Sequence, residues 1–137
     1  MAVFCVPAKT EDLDRVLSPI DGALAVCACP PETQIQIDLA VEEIFVNIAR
    51  YAYGSEGGDA VVSYELMEDP LRMRIRFQDE GVPYNPLLKE DPDISLSAEK
   101  RPVGGLGIFL VKKLMDQMEY RRENGRNILT VTKKIQP

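Results

Sequence analysis

Hydrophobic positions recur along this chain with two different periods, and the switches between them mark its elements. Met1 to Val6 reads as a short strand. Thr10-Glu-Asp-Leu13 then opens a helix running to about Cys27, because a threonine hydroxyl caps free amides and acidic residues suit the positive end of a helix. Pro30-Pro31 breaks the chain. A second helix follows from about Glu32 to Tyr53, with Ile37, Val41, Ile44 and Ile48 on one stripe, and Gly54 and Gly57-Gly58 end it. The period then becomes two. Ala60, Val62, Tyr64 and Leu66 alternate with Val61, Ser63, Glu65 and Met67. After Glu68-Asp-Pro70, Leu71, Met73, Ile75 and Phe77 alternate with Arg72, Arg74, Arg76 and Gln78. This predicts an antiparallel hairpin with one buried face. Asp79 to Val103 is polar and punctuated by Pro83, Pro86, Pro92 and Pro102, as a lid or binding loop is. A third helix is expected after Gly107, carrying Ile108, Val111, Leu114, Met115 and Met118. Two last strands, Glu119 to Arg122 and Asn127 to Lys133, flank Asn124-Gly125.

Strand, helix, helix, hairpin, loop, helix, hairpin does not alternate as βαβ units do. It predicts an α+β, two-layer sandwich with a mixed, mostly antiparallel sheet and helices on one face. The 137 residues fit a single domain over 1–137. Sixteen basic against 22 acidic residues give a formal charge of -6, which disfavours direct contact with nucleic acid. Histidine is absent, so imidazole catalysis and imidazole metal ligation are excluded. Cys5, Cys27 and Cys29 lack zinc spacing, and no basic-plus-apolar leader precedes them, so reduced thiols in a cytoplasmic protein are expected. The longest apolar run, Gly22 to Cys29, is too short to span a membrane.

Within this frame a few groups could carry chemistry. Glu43 and Asn47 are four apart, so both emerge on one face of the second helix, beside its apolar stripe. An amide oxygen suits magnesium, which commonly takes one or two protein oxygens while phosphate and water supply the rest. A carboxylate there can accept a proton from an attacking hydroxyl. The same pair also suits the solvated flank of an amphipathic helix. Asp79-Glu-Gly-Val-Pro-Tyr-Asn-Pro86 follows a strand, where a carboxylate can accept purine amino hydrogens and Gly81 lets backbone approach the base; turn-forming residues in a turn have the same composition. Gly104-Gly-Leu-Gly107 enters a helix, and a helix N-terminus presents free amides to phosphate, although the run is neither a Walker A loop nor a Rossmann turn.

Taken in order, Val41-Glu-Glu-Ile-Phe-Val-Asn47 with Ala52-Tyr53, Asp79 to Pro86, and Gly104 to Asp116 resemble the three boxes of the GHKL, or Bergerat, ATP-binding fold. The similarity is to its stand-alone branch of anti-sigma-factor serine/threonine kinases, and it covers nearly the whole chain. The resemblance implies ATP or ADP with Mg2+ as ligands, Asn47 holding the metal, and Glu43 as general base. It further implies Asp79 on the adenine amino group with Gly81 beside it, Gly104, Gly105 and Gly107 at the phosphates, and residues 87–103 as lid. Members of the branch bind a sigma factor, phosphorylate a serine or threonine of a STAS-like antagonist, and often act as homodimers. This chain departs from the branch at two positions. Val103 stands where relatives often carry an arginine able to meet the terminal phosphate, and Tyr51 stands where they often carry histidine. The expected function is therefore an ATP-dependent protein serine/threonine kinase, with a nucleotide-gated protein-binding regulator that transfers little phosphate as the alternative. A detached histidine-kinase domain would need its acceptor histidine on another chain.

Overall fold

Pro30 and Pro31 fall where a helix has no use for a backbone donor, and a helix begins on them. The computed structural model describes residues 1–88 and 105–135. Its elements are β1 (Ala2–Pro7), α1 (Leu13–Val26), α2 (Pro31–Tyr51), β2 (Asp59–Met67), β3 (Arg72–Asp79), α3 (Gly105–Leu114), β4 (Gln117–Glu123) and β5 (Arg126–Lys134). Two local expectations are corrected. Thr10 does not cap a helix: Thr10–Asp12 forms a 3-10 turn, α1 starts at Leu13, and its N-cap residue makes no side-chain cap bond. α3 starts at Gly105, three residues ahead of the expected start after Gly107, so Gly107 sits inside its first turn.

The strands form one sheet in the order β1-β2-β3-β5-β4, and every neighbouring pair is antiparallel, in keeping with the expected α+β sandwich and its mostly antiparallel sheet. Asn124 and Gly125 both adopt positive φ (52° and 76°), the conformation a two-residue hairpin turn requires, and they join β4 to β5. Period-two alternation puts Val62, Met73, Ile75, Phe77 and Val131 on one face, all buried, in a core shared with Val16, Ile20, Leu24, Ile37, Val41, Ile44 and Phe45 of the helices. Each such side chain contributes about 1.5–3 kcal/mol through apolar area removed from water. Leu66, expected on this face, is 39% exposed although its register partner Met73 is fully buried. The other face of β3 carries Arg72, Arg74 and Arg76.

α1 ends in a Schellman motif: Cys29 N donates to Leu24 O (3.0 Å) and Ala28 N to Ala25 O (3.1 Å), with Ala28 left-handed at φ 56°. Between α1 and α2, Asp38 lies beside Asp21, and one oxygen of each is buried without a hydrogen-bond partner. Burial, then the hydrogen bond and charge of Asp21, push the Asp38 carboxyl up to about 7.

Candidate functional site

The exposed flank of α2 and the C-terminal end of β3 meet at a cleft. Glu43, Asn47 and Arg50 are spaced four and three residues apart on α2 and so share one face. A cavity of about 150 Å³ runs from Asn47 past Tyr51 to Asp79, floored by Phe77 and Leu129 and closed at the side by Tyr84 and Pro86. A second cavity of about 110 Å³ is lined by Glu43, Asn47, Arg50 and Gly107. Asn47, Tyr51 and Ile108 line both, so the two are lobes of one cleft, mostly apolar at one end and charged at the other. Ligand sites commonly combine apolar walls with a few convergent polar groups in this way.

At the apolar end Asp79 is only 6% exposed. Its Oδ1 accepts from Gly81 N and from Asn127 Nδ2, both at 2.9 Å, and its Oδ2 makes no hydrogen bond among the described residues. That oxygen is therefore available as an acceptor within a largely apolar wall. Asn127 organises the corner. Its Nδ2 also donates to Val82 O (2.8 Å), while its Oδ1 accepts from Tyr84 N (3.3 Å) and from the Tyr120 hydroxyl. Sequence reasoning missed Asn127, although a polar residue at the inward parity of β5, two places before Leu129, was a usable signal.

Gly81 does not line the cavity; it fastens the loop. A Cβ there would collide with the backbone oxygen of Ala52, to which Val82 N donates at 2.9 Å. Arg122 Nη1 donates to Gly81 O at 2.9 Å from the other side. The phenol of Tyr84 is pushed above its ordinary value by burial first and by the nearby Tyr51 second, so two tyrosines stand together at the mouth.

At the charged end, α3 points its first turn at α2. A Cβ on Gly107 would strike Glu43 Oε2, so glycine is what allows this carboxylate to approach the helix N-terminus. The free amides of that turn and the positive end of the helix dipole favour anions there. Gly105 is the first residue of α3, while Gly104, Val103 and most of the expected lid lie outside the described residues. Arg50, which sequence reasoning did not single out, supplies a cation on the same α2 face. No group of three or more Cys, Asp or Glu that could hold a metal occurs among the described residues. The Asn47 amide oxygen is a single hard donor, which fits a magnesium ion whose other positions are filled by phosphate and water.

An antiparallel sheet covered on one face by helices, with a cleft between helix and strand end that offers a buried acceptor at one end and a helix N-terminus at the other, defines a nucleotide-binding α+β sandwich. Residues 6–133 match the family model described as "Histidine kinase-like ATPase domain". The chain belongs to that family. It is 30% identical over 135 residues to a protein named serine-protein kinase RsbW from Bacillus mycoides, covering 96% of this chain and 82% of that protein. Its identity to the protein of that name from Listeria monocytogenes is 28%, covering 95% and 84%. Among solved structures, the RsbU and RsbW domains of a Mycobacterium tuberculosis protein superpose with a TM-score of 0.69 at 16% identity, over 100% of this chain and 34% of that one. The structure of the SiaB-SiaC complex from Pseudomonas aeruginosa superposes with a TM-score of 0.64 at 14% identity, over 97% and 89%. At these identities the two structures share the fold. No helix among the described residues is long and apolar enough to cross a membrane.

Proposed function

We propose that the chain is an ATP-dependent protein serine/threonine kinase of the anti-sigma-factor type. In this reading it binds a sigma factor and transfers the ATP γ-phosphate to a Ser or Thr of a STAS-like antagonist protein. The observation that carries this reading is the continuity of the cleft from Asp79 to the Asn47–Glu43–Gly107 corner.

Asp79 Oδ2 accepts from the adenine amino group, while Asn127 and Gly81 hold its Oδ1 and so fix the carboxyl orientation. The apolar walls exclude water from the base. Asn47 supplies an amide oxygen to Mg2+, which, when bound, neutralises phosphate charge. The first turn of α3, from Gly105, offers amides to phosphate oxygens. Glu43 takes the proton of the attacking hydroxyl as that oxygen bonds to phosphorus and ADP leaves. Arg50, on the same face as Asn47, provides cationic neutralisation that Val103 cannot. The three cysteines are free, in keeping with a reducing, cytoplasmic setting.

The alternative, a nucleotide-gated binding regulator with little transfer, draws on Val103 alone. Incubation with γ-labelled ATP and a candidate STAS-domain antagonist separates the two. The kinase reading expects label on the antagonist with the wild type and none with Glu43→Ala, whose ADP affinity is retained. Transfer by Glu43→Ala at the wild-type rate would remove Glu43 from its role, and no transfer by the wild type to any antagonist would favour the regulator.

A further inference from the structure

The sheet face turned away from the helices has its own charge pattern. By strand register it carries Arg72, Arg74 and Arg76 of β3, Arg121 of β4, and Arg126 and Lys134 of β5, against Glu65, Glu119 and Glu123. This cationic surplus stands on a chain whose formal charge is -6. Part of it is neutralised: Arg74 pairs with Glu65, Arg121 with Glu123 at 3.3 Å, and Arg126 with Glu80 at 3.4 Å. Arg76 is not. It stands on the central strand between Ser63 and Thr130, half-buried, and makes no ion pair or hydrogen bond among the described residues. Glu119, the nearest carboxylate in its cross-strand row, is two strands away, about 9–10 Å by strand spacing. The arginines border a trough of about 190 Å³ with buried Ile128 and Thr132 at its base and Thr130 between them.

We infer that this trough is a docking surface for an acidic segment of a partner protein, whose carboxylates pair with Arg76 and its flanking arginines. A two-fold dimer through this face is disfavoured, because it would bring the net cationic surplus of one copy against the same surplus of the other. A long polyanion is disfavoured by the acidic remainder of the chain, which repels it beyond the few cations it could reach. A short acidic segment meets only the local surplus. Arginine suits this role, since its planar fork pairs with carboxylate through two parallel bonds. The surface lies across the sheet from the nucleotide cleft, so a partner docked here leaves that cleft open. The inference therefore stands independently of the kinase reading.

The test uses the full-length protein and a fluorescein-labelled, strand-forming peptide of alternating Glu and Thr, read by anisotropy. A Lys/Thr peptide and single-stranded DNA serve as comparison probes. The expected result is binding of the acidic peptide that weakens with salt, no binding of the basic peptide, and at most weak competition by DNA. Arg76→Glu is expected to weaken peptide binding about tenfold or more while leaving ADP affinity and melting temperature unchanged. Arg76→Gln combined with Arg121→Gln should give a smaller loss of the same kind, and it covers the case in which charge reversal disturbs the sheet. No acidic-peptide binding by the wild type, undiminished binding by both variants, or displacement of the peptide by DNA at equal concentration would each overturn the inference.

Discussion

Asp79→Asn tests the site where it is most specific. The amide oxygen of the new side chain can still accept from Gly81 N and Asn127 Nδ2, both at 2.9 Å in the native corner. The amide nitrogen then replaces Oδ2, turning an acceptor that is free among the described residues into a donor that faces the adenine amino group. The loss is one hydrogen bond to a charged acceptor, about 1.5–3 kcal/mol, which is roughly a 10- to 150-fold weaker ADP affinity. Folding should be little changed, because the bonds that fasten the loop survive. The swap also predicts its own specificity signature: a donor there can meet the carbonyl oxygen of guanine, so GDP affinity should rise relative to ADP. Calorimetric titration of both nucleotides, with thermal melts of the two proteins, measures all of this. A folded variant with wild-type ADP affinity would refute the placement of adenine against Asp79.

Gly107→Ala places a methyl group against Glu43 Oε2, the far end of a flexible side chain. The variant should therefore melt within a few degrees of wild type while phosphoryl transfer falls by about tenfold or more, read by labelled-phosphate assay. Ala28→Gly relieves a left-handed alanine at the end of α1 and should add about 1 kcal/mol, raising the melting temperature by roughly 3–6 °C. The Asp38 carboxyl, raised to about 7 from an ordinary 3.8, binds its proton more tightly folded than unfolded. Stability from this group is therefore greatest at low pH, declines as pH rises from about 4, and is lost above about 7. Urea titrations at pH 5 and pH 8 should show Asp38→Asn flattening this dependence and stabilising the protein mainly at pH 8.

The elements and most of the core were readable from local pattern, because a side-chain period of two or 3.6 is written in neighbouring residues. Ile37, Val41, Ile44 and Ile48 are all buried on α2, and the alternation of β3 separates buried Met73, Ile75 and Phe77 from the arginines. Glu43 and Asn47 share a cleft for the same reason, since helical spacing alone puts them on one face. Where local signals competed, the reading slipped. Thr10 looked like a cap, yet Asp12 occupies the N-cap position after a 3-10 turn.

What required the folded chain were the contacts between distant segments. No spacing connects Asn127 to Asp79, which meet only because β5 pairs with β3 in the register Asp79↔Asn127. Nor does any local rule make Gly81 yield to the Ala52 carbonyl, or Gly107 to Glu43. Periodicity records which face of an element is buried. Which side chains from different elements come within hydrogen-bond reach is decided by strand register and helix packing, and those are properties of the assembled core.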